Sequence, residues 1–395
     1  MNTAASCDAV EILETLVGFP TVSSGSNLAL IEYVRDFLRD HGVDSHLVFN
    51  VERTKANLYA QIGPNVAGGV ILSGHTDVVP VADQAWSGDP FRLREQDGRL
   101  YGRGTADMKG FIAAVLALVP EWRAARLKRP VQLALSYDEE VGCLGAPSMI
   151  AEMSQRLAPA KTVIVGEPTM MKLVTGHKTF AGFETRVRGR EVHSCQPHLG
   201  VSAVMTAARL VCWLQDRTDE NRQAASAEGT GSNADDAGFD PPWTTLHAGM
   251  ISGGTATNIT AGHCRFSTDI RCMPGDDPDD WVARYRSFAA DVDSEIRSAH
   301  PEAAVHVSDP VHIPGLSPEA DGAAERLVRQ LNGDNETGVV SYGTEAGQFQ
   351  AAKYSTVVCG PGSIDQAHQP DEFIARRQID ACAGFLQRLT RTLSD

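Results

Sequence analysis

Apolar runs that end in acids or histidines place the tightest limit on how this chain can fold. Gly69–Val70–Ile71–Leu72 reads as a buried parallel strand that delivers Ser73–Gly74–His75–Thr76–Asp77. Val131–Tyr137 is a second such strand and ends in Asp138–Glu139–Glu140, and Val163–Val165 is a third, ending in Gly166–Glu167–Pro168–Thr169. Between them, Leu100–Gly110 sets Asp107 just ahead of the helical run Phe111–Val119. An α/β sheet builds its site outside the carboxyl ends of its strands, so these segments aim their side chains at one edge. Strand alternates with helix, which predicts a mostly parallel sheet with helices on both faces.

The rest of the chain divides around that sheet. Ala9–Val17 and Leu28–His41 have helical periodicity, Asn57–Ile62 reads as a strand, and Ala82–Arg99 as a loop anchored by Trp86 and Phe91. The texture changes near Lys178. Phe180–Gly189 alternates like a half-solvated strand, Val201–Leu214 is an amphipathic helix, and polar Asp219–Pro242 reads as a long loop. Thr244–Ser252 and His263–Arg271 read as paired strands, Pro278–Ala299 as a helix and Ala303–Ser308 as a strand. The order β-α-β-β-α-β predicts an α+β sandwich. The expected division is a first domain over 1–179, resumed at 311–395, with the sandwich inserted at 180–310. Ala320–Leu331 (helix), Tyr354–Cys359 (strand) and Ile374–Thr390 (helix) close the first domain.

Bulk properties exclude some functions. A formal charge of −15 over 395 residues argues against a nucleic-acid partner, which needs clustered Lys and Arg. Met1–Val10 has no secretory pattern, and no run approaches the length of a membrane span. The eight cysteines, Cys7 among them, are dispersed without a C-x-x-C pair, which fits reduced thiols in a cytoplasm.

His75, Asp107, Glu139, Glu140, Glu167 and His368 form a set of nitrogen and oxygen donors suited to zinc, cobalt or manganese. There are enough carboxylates to share one between two ions, and two nearby ions polarise a carbonyl and activate a water together. Glu139 and Glu140 are adjacent, so they cannot do the same job: one can ligate while the other serves as general base. His75 and Asp77 point to the same side of an extended strand end, where the acid can help hold the imidazole; the alternative is a core histidine followed by a turn aspartate.

Taken together and in order, Ser73–Pro80, Gly102–Gly110, Asp138–Glu140, Gly166–Thr169 and Gln366–Glu372 resemble the motifs of the dizinc amidohydrolase and peptidase family over essentially the whole chain. That family includes deacetylases, desuccinylases, aminoacylases and carboxypeptidases. The resemblance implies two zinc ions, with cobalt as an alternative. His75 and Glu167 would ligate one, Glu140 and His368 the other, and Asp107 would bridge them. Asp77 would orient His75, and Glu139 would be the general base. The peptide bond after Asp107 would be cis.

The inserted domain would be a lid and dimerisation domain. Arg188–Ser194 resembles the family's lid motif, in which His193 reaches a neighbouring active site, so a homodimer is implied. Gly253–Asn258 resembles a segment whose Asn258 contacts substrate, and Asp269–Ile270–Arg271 one whose Arg271 clamps a substrate carboxylate. The chain departs from the pattern at Ser194–Cys195–Gln196–Pro197 and at Ser202, where other residues are more usual.

Tyr342–Phe349 and Gly360–Glu372 resemble the branch that deacetylates acetylornithine. This implies hydrolysis of N2-acetyl-L-ornithine to L-ornithine and acetate, a step of arginine biosynthesis. Thr344 and Glu345 would then border the substrate, Glu345 near its cationic side chain, or Glu345 would structure the loop beside Thr344. The alternatives are deacylation of another N-acyl amino acid (acetylcitrulline, succinyl-diaminopimelate), a dipeptidase, or a metal-dependent binding protein without hydrolysis.

Overall fold

The computed structural model describes residues 8–228, 238–333 and 335–395, so Cys7 lies outside the described residues. The chain forms two compact units. One comprises Met1–Gly176, Leu316–Val339 and Thr344–Asp395; the other comprises His177–Gly315 and Val340–Gly343.

The first unit is built on an eight-stranded sheet. Its strands run in the order Ser45–Phe49, Ala56–Ile62, Val131–Ser136, Gly69–His75, Ala160–Pro168, Ser355–Gly360, Val174–His177, Gly338–Val340. The central strands, from Val131–Ser136 through Ser355–Gly360, are parallel, and antiparallel strands flank them on both sides. Every residue of Gly69–His75 and Val131–Ser136 is buried. Strands covered on both faces need no polar alternation, which is why they read as largely apolar runs.

Alternation along Ala56–Ile62 shows the two faces. Leu58, Ala60 and Ile62 join the main core with Leu30, Ile31, Val34 and Leu38 of helix Leu28–Asp40. Asn57 and Tyr59 point the other way. The Asn57 side chain donates to the Gly145 carbonyl at 2.9 Å, and the Tyr59 hydroxyl donates to Glu152 of helix Ala146–Arg156 at 3.0 Å.

The second unit is a five-stranded antiparallel sheet in the order Thr245–Gly253, His263–Cys272, Thr179–Arg188, Ala304–Val307, with Val311–Ile313 also paired to Thr179–Arg188. Ala181, Phe183, Val187, Phe266 and Ile270 are buried in one core with Leu210 and Leu214 of helix Ala203–Glu228 and Tyr285 of helix Pro278–Ala299.

Helix Ala203–Glu228 corrects the expectation of a loop from Asp219. Its polar second half is held by side-chain pairs one turn apart: Arg217 with Glu220 at 2.5 Å and Arg222 with Asp219 at 2.8 Å. Thr218 and Asn221 also bond the backbone of Leu246 and Thr244. Polarity there marks a solvated helix face, not a loop; residues 229–237 of the expected loop lie outside the described residues. Sequence periodicity also missed the strands Ser45–Phe49, Val174–His177 and Gly338–Val340, which are short. Among the described residues, no helix is long and apolar enough to cross a membrane, and the seven described cysteines are free.

The strand that carries Glu167 depends on a close approach. A Cβ built on Gly166 would lie 2.1 Å from the ring of Phe111, on helix Gly110–Ala117. Gly166→Ala is expected to destabilise the protein by about 1–3 kcal/mol, read as the shift in urea midpoint. In the double variant with Phe111→Ala, the two losses should not add, because the second change removes the clash that the first creates. Full additivity would show that the two positions do not press on each other.

Candidate metal centre

The ends of the central strands and the turns beyond them bring together the six donors His75, Asp107, Glu139, Glu140, Glu167 and His368. His75 ends strand Gly69–His75 and pairs with Ser136 on the neighbouring strand, so Glu139 and Glu140 follow at the same edge. Glu167 lies near the end of strand Ala160–Pro168. Asp107 sits in the turn that enters helix Gly110–Ala117, and the Asp107–Met108 peptide bond is cis. His368 comes from the loop that follows strand Ser355–Gly360. Asp138 and His368 both have left-handed backbone, with φ of 55° and 62°, a conformation that side-chain-bearing residues hold only when their surroundings fix it.

Asp107 is the hinge of the arrangement. Its Oδ1 lies 2.9 Å from Nε2 of His75, and its Oδ2 lies 3.5 Å from Nε2 of His368. One carboxylate thus offers one oxygen to each histidine. On the first side, Glu167 Oε1 is 3.7 Å from His75 Nε2; on the second, Glu140 Oε2 is 3.0 Å from His368 Nε2. His75, Glu139 and Glu167 bring one ligand atom each within 4.8 Å of one another, as do His75, Asp107 and Glu140.

The residues fit divalent cations on three grounds. The donors are all nitrogen and carboxylate oxygen. Glu167 Oε1 is buried without a hydrogen-bond partner. The acids are also electrostatically crowded. Burial, together with Asp107 and other nearby carboxylates, pushes Glu167 well above the carboxylate range and raises Glu140. Burial, Glu140 and Asp107 push Glu139 up to about 8 against the pull of His75. Asp107 alone is lowered: burial opposes its charge, but hydrogen bonds to His368 and His75 outweigh that. Positive charge placed among these groups relieves the repulsion that keeps protons on them.

The support for His75 differs from the expectation in one respect. Its Nδ1 lies 2.9 Å from the backbone carbonyl of Asp77, while the Asp77 carboxylate stands 3.7 Å away. Donation from Nδ1 leaves Nε2 free as a ligand atom. The Asp77 carboxylate serves the neighbouring turn instead, accepting from Ser23 Oγ at 2.7 Å and from the backbone N–H groups of Glu139 and Glu140 at 3.1 and 3.3 Å.

Glu345 is the larger correction. It is fully buried, and its two oxygens accept from the hydroxyls of Ser73 and Ser136, both at 2.6 Å. It therefore offers no surface to a cationic substrate group and ties together the strands that end in His75 and precede Glu139. Thr344 is likewise buried, its hydroxyl accepting from the Ala346 N–H.

His193, Asn258 and Arg271 belong to the second unit. The Ser194 N–H donates to the Asn258 carbonyl at 3.0 Å, so the loops of His193 and Asn258 lie side by side. Arg271 spans Asp269 with Nε and Nη2 at 2.9–3.3 Å and lies over the ring of Phe180, so its fork is already engaged.

Sequence reasoning gave no role to Glu372. This carboxylate is 1% exposed and accepts from the backbone N–H groups of Gly104, Ala106 and Asp107 at 2.9–3.1 Å, and from Arg103 at 2.7 Å. It fixes the turn that aims Asp107. The only signal for it was a glutamate four residues after His368. Glu372→Gln is expected to weaken divalent-ion affinity about ten- to hundredfold, measured by equilibrium dialysis against zinc. Unchanged affinity in a folded variant would show that the turn holds itself.

The sequence profile of Peptidase family M20/M25/M40 matches residues 71–392. An acetylornithine deacetylase of Pasteurella multocida (strain Pm70) is 34% identical over 387 residues, covering 96% of each chain. Among solved structures, an M20 family metallo-carboxypeptidase from Sulfolobus solfataricus aligns with a TM-score of 0.74 at 18% identity, covering 98% of this chain and 99% of that one. A Bacillus subtilis protein described as a dinuclear metal binding peptidase of the same family aligns at 0.56 and 13%, covering 97% and 96%. By the extent of the profile match and of the sequence identity, this chain belongs to Peptidase family M20/M25/M40.

Proposed function

We propose that this protein hydrolyses the amide bond of an N-acyl amino acid, with N2-acetyl-L-ornithine as substrate, releasing L-ornithine and acetate. The observation that carries the chemistry is the split of the Asp107 carboxylate between His75 and His368. The acetylornithine deacetylases that match along nearly the whole chain support the substrate, as does the dinuclear description of the Bacillus subtilis relative for the metal content.

Two zinc ions, or cobalt in their place, would be held by His75 and Glu167 on one side, Glu140 and His368 on the other, and Asp107 between. Bound there, such ions supply Lewis-acid polarisation of the scissile carbonyl and acidify a water. The other steps belong to the chain. Glu139, half-buried beside His75 and Glu167, takes a proton from the attacking water and passes it to the departing amine. The Asp77 carboxylate holds the turn that presents Glu139. His193 is assigned to the developing oxyanion, Asn258 to substrate contact and Arg271 to the α-carboxylate, which would displace Asp269 from its fork. If His193 serves a neighbouring active site, the working form is a homodimer through the second unit. The free cysteines fit a cytoplasmic enzyme.

Metal-loaded protein is expected to release amine from acetylornithine faster than from acetylcitrulline or acetylmethionine, measured as kcat/KM. A preference for either of the others would reassign the substrate, and no turnover on any of them would remove the hydrolytic reading. Glu139→Gln should retain its metal while kcat falls about 10²-fold or more. Near-normal turnover in that variant would take the base role away from Glu139.

A further inference from the structure

The face of the second unit's sheet that lies opposite its buried core carries a concentration of positive charge. Along Thr179–Arg188 the buried residues are Ala181, Phe183, Thr185 and Val187, so Arg186 and Arg188 point away from the core. Along His263–Cys272 the same alternation exposes His263 and Arg265. The register sets Arg265 directly opposite Arg186, and Arg186 directly opposite His306 on the next strand. One row further on, His263 stands opposite Arg188.

Like charges facing each other across an antiparallel pair destabilise it. Here the compensation is small. Arg186 pairs with Glu184 on its own strand. Among the described residues, the side chains of Arg188, Arg265, His263 and His306 have no ion pair or hydrogen bond. The chain has acids to spare, 50 against 35 Lys and Arg, yet does not spend them here. A cavity of about 880 Å³ lies over this row, lined by those five basic side chains and by a single acid, Glu191.

We propose that this face is a binding site for a small polycarboxylate anion. Adjacent strands stand about 4.8 Å apart and alternate residues of one strand about 6.8 Å apart, so Arg186, Arg265 and Arg188 form a triangle of guanidinium roots at that spacing. Separate carboxylates on a short carbon chain match it, each meeting one planar fork, whereas the oxygens of a single phosphate are clustered too closely to reach all three. A nucleic acid is disfavoured by the net charge of −15. None of these residues belongs to the candidate metal centre, so the inference stands apart from the proposed hydrolysis.

Calorimetric titration of the full-length, metal-loaded protein with tricarballylate, and separately with inorganic phosphate, tests it. One tricarballylate per chain is expected, bound more tightly than phosphate. Arg186→Ser with Arg265→Ser should weaken that binding about tenfold or more while leaving amide hydrolysis unchanged, which also reports that the variant folds. His75→Ala, altered at the metal centre, should bind tricarballylate as before. Absence of binding, equal affinity in the double arginine variant, loss confined to His75→Ala, or phosphate binding as tightly as tricarballylate would each overturn the assignment.

Discussion

Four carboxylates and two imidazoles packed at one edge of a buried sheet set the terms for the rest of the first unit. Desolvating an ionised carboxylate costs several kcal/mol unless the charge is met, and like charges in contact raise that cost. Each of these acids is offset by only partial means. Asp107 is met by two histidines, Glu140 by one, and Glu167 Oε1 by no hydrogen bond, with His75 3.7 Å away. A cluster that is incomplete by its own electrostatics fits a cation.

Such a cluster must be held by groups that do not themselves ligate. Buried acids do much of this holding. Glu372 gathers the backbone N–H groups of the Asp107 turn, and Asp77 gathers those of Glu139 and Glu140. Glu345 clamps the serines beneath His75 and Glu139, and Lys55 holds Asp138 at 2.5 Å. The pattern is consistent: one set of acids faces the site, and another faces backbone N–H groups and hydroxyls behind it. Burial raises the pKa of Glu345 and Glu372, while their hydrogen-bond donors pull it back. These second acids therefore bear on the site through the turns and strands that they hold.

The parts of this design that were legible in the sequence are those written locally. The runs around Gly69–Leu72, Val131–Tyr137 and Val163–Val165 are apolar because both faces of the parallel strands are covered, and the residues that follow them are polar because the strands end there. The order of elements in the second unit was legible from a different local signal, the alternation of buried and exposed residues along its strands. The roles of Glu345 and Glu372 were not, because a glutamate that caps a backbone turn from far along the chain looks like any loop acid. Asp77 was read through its carboxylate, and the contact to His75 comes from its carbonyl, which every residue has. The second half of helix Ala203–Glu228 was misread because its stability comes from charge pairs one turn apart and from bonds to Thr244 and Leu246, not from an apolar stripe.

The topology explains why the candidate ligands are so far apart in sequence. A parallel sheet cannot place two neighbouring strand ends at the same edge without a crossover between them, so each ligand-bearing turn is separated from the next by a helix or more. His75 and Glu167 lie at the ends of two adjacent parallel strands, Glu140 follows the strand on the other side of His75, and His368 follows the fourth. The candidate metal centre therefore exists only when the whole sheet is in register. A slip of one residue between Gly69–His75 and Val131–Ser136 would turn His75 to the opposite face and break the serine clamp on Glu345 in the same step. Cations bound to that centre would favour the register in which all its ligands converge, so the ions would act on the sheet as much as the sheet acts on them.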